Sequence, residues 1–198
     1  TLSGSSMFKA RVINYSGNGA DYSNTYVIDT TLPDTSITSN PSAVSNSSSA
    51  NFNFTGTDDN ISPLSYEVSL DSVSYAAGTS PKTYTGLADG SHTFNVRAVD
   101  GAGNKDATPA TYTWTIDTTA PAALTLTLSS DSGSSATDKI TNSNVINVGN
   151  LEAGATWQYS LNGGTAWNTG TGTGFSMASD TAYAIGAIKI KQTDAAGN

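Results

Sequence analysis

The octad Arg11-Val-Ile-Asn-Tyr-Ser-Gly-Asn18 returns as Arg97-Ala-Val-Asp-Gly-Ala-Gly-Asn104 and again as Lys191-Gln-Thr-Asp-Ala-Ala-Gly-Asn198. A second phrase follows the first two copies, as Tyr26-Val-Ile-Asp-Thr-Thr-Leu-Pro33 and Trp114-Thr-Ile-Asp-Thr-Thr-Ala-Pro121, and its aspartates, Asp29 and Asp117, stand 88 positions apart. Self-similarity at that period describes small modules joined in series rather than one large domain. Within each period the apolar residues alternate with polar ones. Phe52-Asn-Phe54, Tyr66-Glu-Val-Ser-Leu70, Phe94-Asn-Val-Arg-Ala98 and Tyr112-Thr-Trp-Thr-Ile116 all carry this period-two pattern, and turn residues separate them.

Short alternating strands between Gly, Asn, Asp and Pro turns predict two packed antiparallel sheets per module, an immunoglobulin-like sandwich. Residues 32–118 are expected to form one complete module. Residues 119–198 repeat its plan through Leu124-Thr-Leu-Thr-Leu128, Val145-Ile-Asn-Val148, Trp157-Gln-Tyr-Ser-Leu161 and Ile188-Lys-Ile190, without a counterpart of the last strand. Residues 1–31 align with only the last two strands, Phe8 to Ile13 and Tyr26 to Asp29, and are expected to be the remnant of a preceding module. The expected fold is therefore all-β: tandem sandwiches, one complete, one lacking its final strand, plus a two-strand remnant. Asn162-Gly163-Gly164 is a hairpin signal.

Charged residues make up only 12% of the chain, which is poor in strong helix formers. There are no cysteines, so disulfides, thiolate metal sites and cysteine nucleophiles are all excluded. The formal charge of −8 repels phosphate backbones and anionic membrane surfaces, and argues for cations or neutral molecules as partners and against nucleic acid. No apolar run reaches the length of a membrane span, and Thr1 begins in mid-pattern without a signal peptide, so targeting information is expected to lie outside these residues. A Thr-, Ser- and Asn-rich β-protein without cysteine fits a bacterial exterior or periplasm better than a eukaryotic secreted domain.

The stretch Ser80-Pro-Lys-Thr-Tyr-Thr-Gly-Leu-Ala-Asp-Gly-Ser-His-Thr-Phe-Asn-Val-Arg-Ala-Val-Asp-Gly-Ala-Gly-Asn104, with Tyr112 to Pro121, resembles the bacterial Ig-like repeats of giant surface adhesins. Leu151-Glu-Ala-Gly-Ala-Thr-Trp-Gln-Tyr-Ser160 and Gln192 to Asn198 carry the same resemblance into the last module, so it covers essentially the whole chain. Relatives of the middle module often carry a cysteine pair near the Ser-Leu-Asp segment. Here Val68 and Ala77 lie in that region, which leaves the fold intact and removes one staple.

In such a sandwich the loop between the last two strands, and the loop after the second strand, lie at the pole where the preceding linker enters. The first junction then groups Asp29 with Asp58, Asp59, Asp100 and Asn104; the second groups Asp117 with Glu152, Asp194 and Asn198. Calcium takes six to eight hard oxygen ligands, which these side chains supply. The resemblance implies the same role, since related repeats are rigidified by calcium between modules. The alternative is that these Asp and Asn residues are turn formers bonding their own backbone. Asp131 and Asp138, in the Ser-rich loop Ser129 to Asn144, read as such turn residues.

His92 stands five residues after Leu87, the spacing at which a ring packs against the preceding turn, and is expected to be structural. A serine triad or zinc site lacks its usual members. Gly170-Thr-Gly-Thr-Gly174 precedes no helical pattern and is expected to be a flexible loop. Trp114 and Trp157 occupy core-facing positions, while Trp167 is the aromatic residue suited to a sugar platform. The sequons at Asn14, Asn46, Asn53 and Asn60 are what chance supplies in so Asn- and Ser-rich a chain.

These readings combine into a non-enzymatic spacer of a bacterial cell-surface or secreted adhesin or biofilm protein. Its expected partners are neighbouring modules of the same chain, with calcium stiffening the joints, so that chelation shortens the molecule. Two other classes remain open: a glycan- or protein-binding module using Trp167, and a filament in which residues 1–31 complete another copy's last module by strand addition.

Overall fold

The computed structural model describes residues 28–59 and 63–198, together with the strand backbones of Ser6–Arg11 and Asp21–Tyr26. Asn14 and Asn60, two of the sequons, lie outside the described residues. The described residues contain strands, turns and bends but no helix, so the chain is all-β, as the alternation and the shortage of helix formers predict. It forms two compact units, Thr1–Ala43 with Ser48–Thr115 and Val44–Ser47 with Ile116–Asn198. The residues expected to be a remnant are counted with the first unit.

In the first unit β1 (Ser6–Arg11) and β2 (Asp21–Tyr26) pair antiparallel, with Ser6 opposite Tyr26 and Arg11 opposite Asp21. Strands β3 (Asp34–Ser39), β5 (Ala50–Thr57) and β8 (Lys82–Tyr84) form a three-stranded sheet in the order β3-β5-β8. A second sheet runs β10-β9-β6-β7, from β6 (Ser65–Leu70), β7 (Ala76–Gly78), β9 (Gly90–Val99) and β10 (Ala110–Ile116). The two-residue β4 (Val44–Ser45) is counted with the second unit, where the Asp117 N–H donates to the Ser45 carbonyl at 3.0 Å.

Alternation turns one face of each sheet inward. Ala50, Phe52 and Phe54 on β5 are buried, as are Phe94, Val96 and Ala98 on β9, while the residues between them are not. The two sheets meet through aromatic rings: Phe52 stacks on Phe94 at 4.1 Å and meets Trp114 edge-on at 5.2 Å, and Phe54 meets Tyr66 edge-on at 5.1 Å. Such pairs add about 0.5–1.5 kcal/mol to the burial of their area. Sequence spacing therefore becomes a two-layer core.

The second unit is built from β11 (Thr125–Leu128), β12 (Val145–Gly149) and β15 (Gly174–Ser176) in the order β11-β12-β15, and from β13 (Thr156–Ser160), β14 (Asn168–Thr169) and β16 (Lys189–Thr193) in the order β14-β13-β16. Its core is Ile146, Val148, Trp157 and Phe175, with Tyr159 stacked on Phe175 at 4.2 Å. β13 and β14 form the hairpin signalled by Asn162-Gly163-Gly164, with Tyr159 opposite Asn168. Its connection is longer than a two-residue turn, and within it the fully buried Ser160 hydroxyl accepts the N–H groups of Asn162 and Gly164.

The segment Gly170–Gly174 departs from expectation. It is an exposed turn tied down by hydrogen bonds rather than a flexible loop. Gly170 N–H donates to the Trp157 carbonyl at 2.9 Å, Val148 N–H donates to the Thr173 carbonyl at 2.8 Å, and the Trp157 indole N–H donates to the Gly172 carbonyl at 3.1 Å. Gly170 and Gly174 are there for clearance, a Cβ on Gly170 lying 2.1 Å from Trp157 Cδ2 and one on Gly174 lying 2.6 Å from the Ile146 carbonyl oxygen, whereas Gly172 sits in open space at φ +56°.

Candidate functional site

The second phrase places Asp29 just after β2, and the acidic pair Asp58-Asp59 directly follows β5. The fold brings them together. One carboxylate oxygen from each of Asp29, Asp58 and Asp59 lies within 4.8 Å of the others, and this is the one group of three potential metal-ligating side chains among the described residues. The Thr31 N–H donates to Asp29 Oδ1 at 3.0 Å, and the Thr31 hydroxyl donates to Asp59 Oδ2 at 3.1 Å. Asp29 Oδ2 and both oxygens of Asp58 are buried without a hydrogen-bond partner among the described residues. Burial pushes the Asp29 carboxyl above its ordinary range; the Thr31 N–H opposes this, and the charges of Asp59, Asp100 and Asp58 add to it.

Asp100 and Asn104 play a different part from the one their position suggests. The Asn104 N–H donates to Asp100 Oδ1 at 2.7 Å, and its amide Nδ2 donates both to Asp100 Oδ2 at 2.8 Å and to the Asp29 carbonyl at 3.1 Å. Burial would raise the nearly enclosed Asp100, but the Asn104 side chain and the N–H groups of Asn104, Gly103 and Ala102 hold it below the usual carboxylate range. The octad copy Arg97–Asn104 is thus a turn whose asparagine grips the segment carrying Asp29.

The second set has the same turn without the cluster. Asn198 donates its N–H to Asp194 Oδ1 at 2.9 Å and its Nδ2 to Asp194 Oδ2 at 2.8 Å and to the Asp117 carbonyl at 2.7 Å. The Asp194 carboxyl is held low, chiefly by the Asn198 side chain. Asp117 Oδ1 accepts the Thr119 N–H at 3.0 Å, and Glu152 is exposed with its N–H donated to Gln192 Oε1 at 3.0 Å. Asp117, Glu152 and Asp194 are not brought together as a three-carboxylate group. An amide cluster that the acidic pattern could not signal lies there instead, centred on Gln192 and Asn150.

His92 is held at both ring nitrogens, Nδ1 against Asp71 Oδ2 and Nε2 against the Ala88 carbonyl, each at 2.8 Å, with its ring 5.4 Å from that of Trp114. A carbonyl and a carboxylate both accept, so both nitrogens donate and the imidazolium is favoured. The Ala88 carbonyl and then Asp71 raise its pKa above 6.5. This is a structural corner, as its spacing predicts.

Trp114 and Trp157 are buried in the two cores. Trp167 is half-buried, and the Lys191 ammonium sits 4.4 Å from its ring centre. Asp131 Oδ2 accepts the Lys139 N–H at 3.2 Å and Asp138 Oδ1 accepts the Ile140 N–H at 3.0 Å, so both aspartates bond loop backbone. No protein-family model matches this chain, and no curated protein matches it either.

Proposed function

We propose that the chain is a run of Ig-like modules from a bacterial surface or secreted adhesin, acting as a non-enzymatic extender that holds a more distal binding region away from the cell. Paired sheets in the orders β3-β5-β8 and β10-β9-β6-β7, closed over an aromatic core, support the sandwich reading. The repeated phrases support tandem modules.

The observation that carries the mechanism is the Asp29, Asp58, Asp59 group, with three oxygens unpartnered among the described residues. Carboxylates crowded in this way repel one another, and a hard divalent cation converts that repulsion into ligation. Calcium held there would fix the segment after β2 against the end of β5, while Asn104 grips the Asp29 carbonyl from the other side. The product is stiffness of the chain path rather than catalysis.

Calorimetric titration with calcium, paired with thermal unfolding, tests this. Binding is expected, with stabilisation of about 2.7 kcal/mol at a calcium concentration one hundredfold above Kd. The Asp58→Asn, Asp59→Asn double variant is expected to lose both signals while keeping its fold. Wild-type protein that neither binds calcium nor gains stability from it would remove the mechanism.

A further inference from the structure

The octad copies ending at Asn104 and Asn198 build the same turn and grip the same point of the preceding segment, yet the surroundings differ at two positions. Gln192, two residues before Asp194, occupies the place that Ala98 holds two residues before Asp100. Asn150, two residues after the buried Val148, occupies the place that Gly56 holds after the buried Phe54. In both places an apolar or absent side chain in the first unit has become a carboxamide in the second.

The Gln192 carboxamide is engaged at both its nitrogen and its oxygen, and Asn150 adds one donated bond. Gln192 Nε2 donates to the Ala122 carbonyl at 2.6 Å and to the Asn150 carbonyl at 3.1 Å, while its Oε1 accepts the Glu152 N–H at 3.0 Å. Asn150 Nδ2 donates to the Ala123 carbonyl at 3.1 Å. With the Asn198 bond to the Asp117 carbonyl, segment 117–123 is held at its start by one amide and at its end by two more. Every one of these links is a neutral hydrogen bond that uses donors and acceptors in the required sense.

We infer that Gln192 is a positioning residue that clasps segment 117–123 to its unit without a metal ion, so that this linker is indifferent to divalent cations while the one carrying Asp29 responds to them. The contrast rests on the cation reading of the Asp29 group; the clasp itself does not. Carboxylates crowded around Asp29 need a counter-charge, whereas a saturated carboxamide needs none. Corresponding segments of one chain would then differ: the one carrying Asp29 tightened by calcium, segment 117–123 fastened to its own unit without it.

Amide hydrogen exchange followed by NMR on the whole chain separates the two ideas. The Glu152 N–H reports the clasp directly, and the Thr31 N–H, bonded to Asp29 Oδ1, reports the acidic group. In the wild type, adding calcium or EDTA should leave Glu152 exchange unchanged and shift Thr31 exchange. Gln192→Ala should speed Glu152 exchange at least tenfold, with the Trp157 indole signal unmoved to show that the core is intact. Gln192→Glu, which keeps the acceptor and loses the donated bonds to the Ala122 and Asn150 carbonyls, should loosen the chain around Ala122 and Asn150 while sparing Glu152. Unchanged Glu152 exchange in Gln192→Ala, or a calcium response at Glu152 in the wild type, overturns the clasp. A calcium-insensitive Thr31 instead overturns the cation reading and the contrast between the two segments, leaving the clasp standing.

Discussion

Asp29 and Asp100 are the same residue type at neighbouring points of one site, yet their protonation equilibria move in opposite directions. Burial acts on both, but Asp29 meets one backbone N–H and three like charges, whereas Asp100 meets an asparagine amide and three backbone N–H groups. Hydrogen-bond donors, rather than depth, decide which aspartate is held ionised and which is pushed toward its neutral form. His92 shows the same logic for a base. Its folded pKa is raised, so the stabilisation from its bonds to Ala88 and Asp71 is complete below about pH 6.5 and is lost as pH rises through the folded value. Denaturant unfolding of the first unit is therefore expected to show a modest fall in stability above pH 6.5 that His92→Gln abolishes; a pH-independent wild type would contradict the imidazolium assignment. Because Asp71 is 41% exposed, solvent screening keeps the effect small.

At the scale of elements, alternation was the most legible signal. Phe52, Phe54, Phe94, Val96 and Trp114 all face inward, as a period of two requires. Gly170–Gly174 is ordered where its composition suggests flexibility, because composition alone cannot distinguish glycines needed for freedom from glycines needed for clearance. Only the Trp157 ring lying against Gly170 makes the difference. Gly170→Ala is expected to cost about 1–3 kcal/mol by overpacking that ring. Gly172→Asn, at φ +56° with nothing within 4 Å, should cost far less. Equal losses for both, measured by denaturant titration of Trp157 fluorescence, would show that Gly170 is not packed as described.

Across the whole molecule the formal charge is −8, and the structure uses part of it. Asp100 and Asp194 are depressed in the two units by homologous asparagine turns, so each contributes stability that is present above the ordinary aspartate value of 3.8 and disappears as pH falls through the lower folded value. Both units should therefore weaken together below about pH 4. The pair Asp100→Asn and Asp194→Asn should flatten the acid limb, each in its own unit; an unaltered acid limb in both variants would show that the turns do not carry it. Asp29 works in the opposite sense, since its ionisation costs the folded state stability unless a cation compensates.

The chain by itself determined the repeat, the strands and the inward aromatic residues, because those follow from local periodicity and the pleat that any strand must adopt. It also placed Asp29, Asp58 and Asp59 among the candidates, since acids after strands are conspicuous. Tertiary structure alone decided that these three converge while Asp117, Glu152 and Asp194 do not. Convergence depends on which side chains from distant strands share a few ångströms, and a carboxamide at position 192 reads in sequence as one more polar residue until the Ala122 and Asn150 carbonyls are seen in front of it.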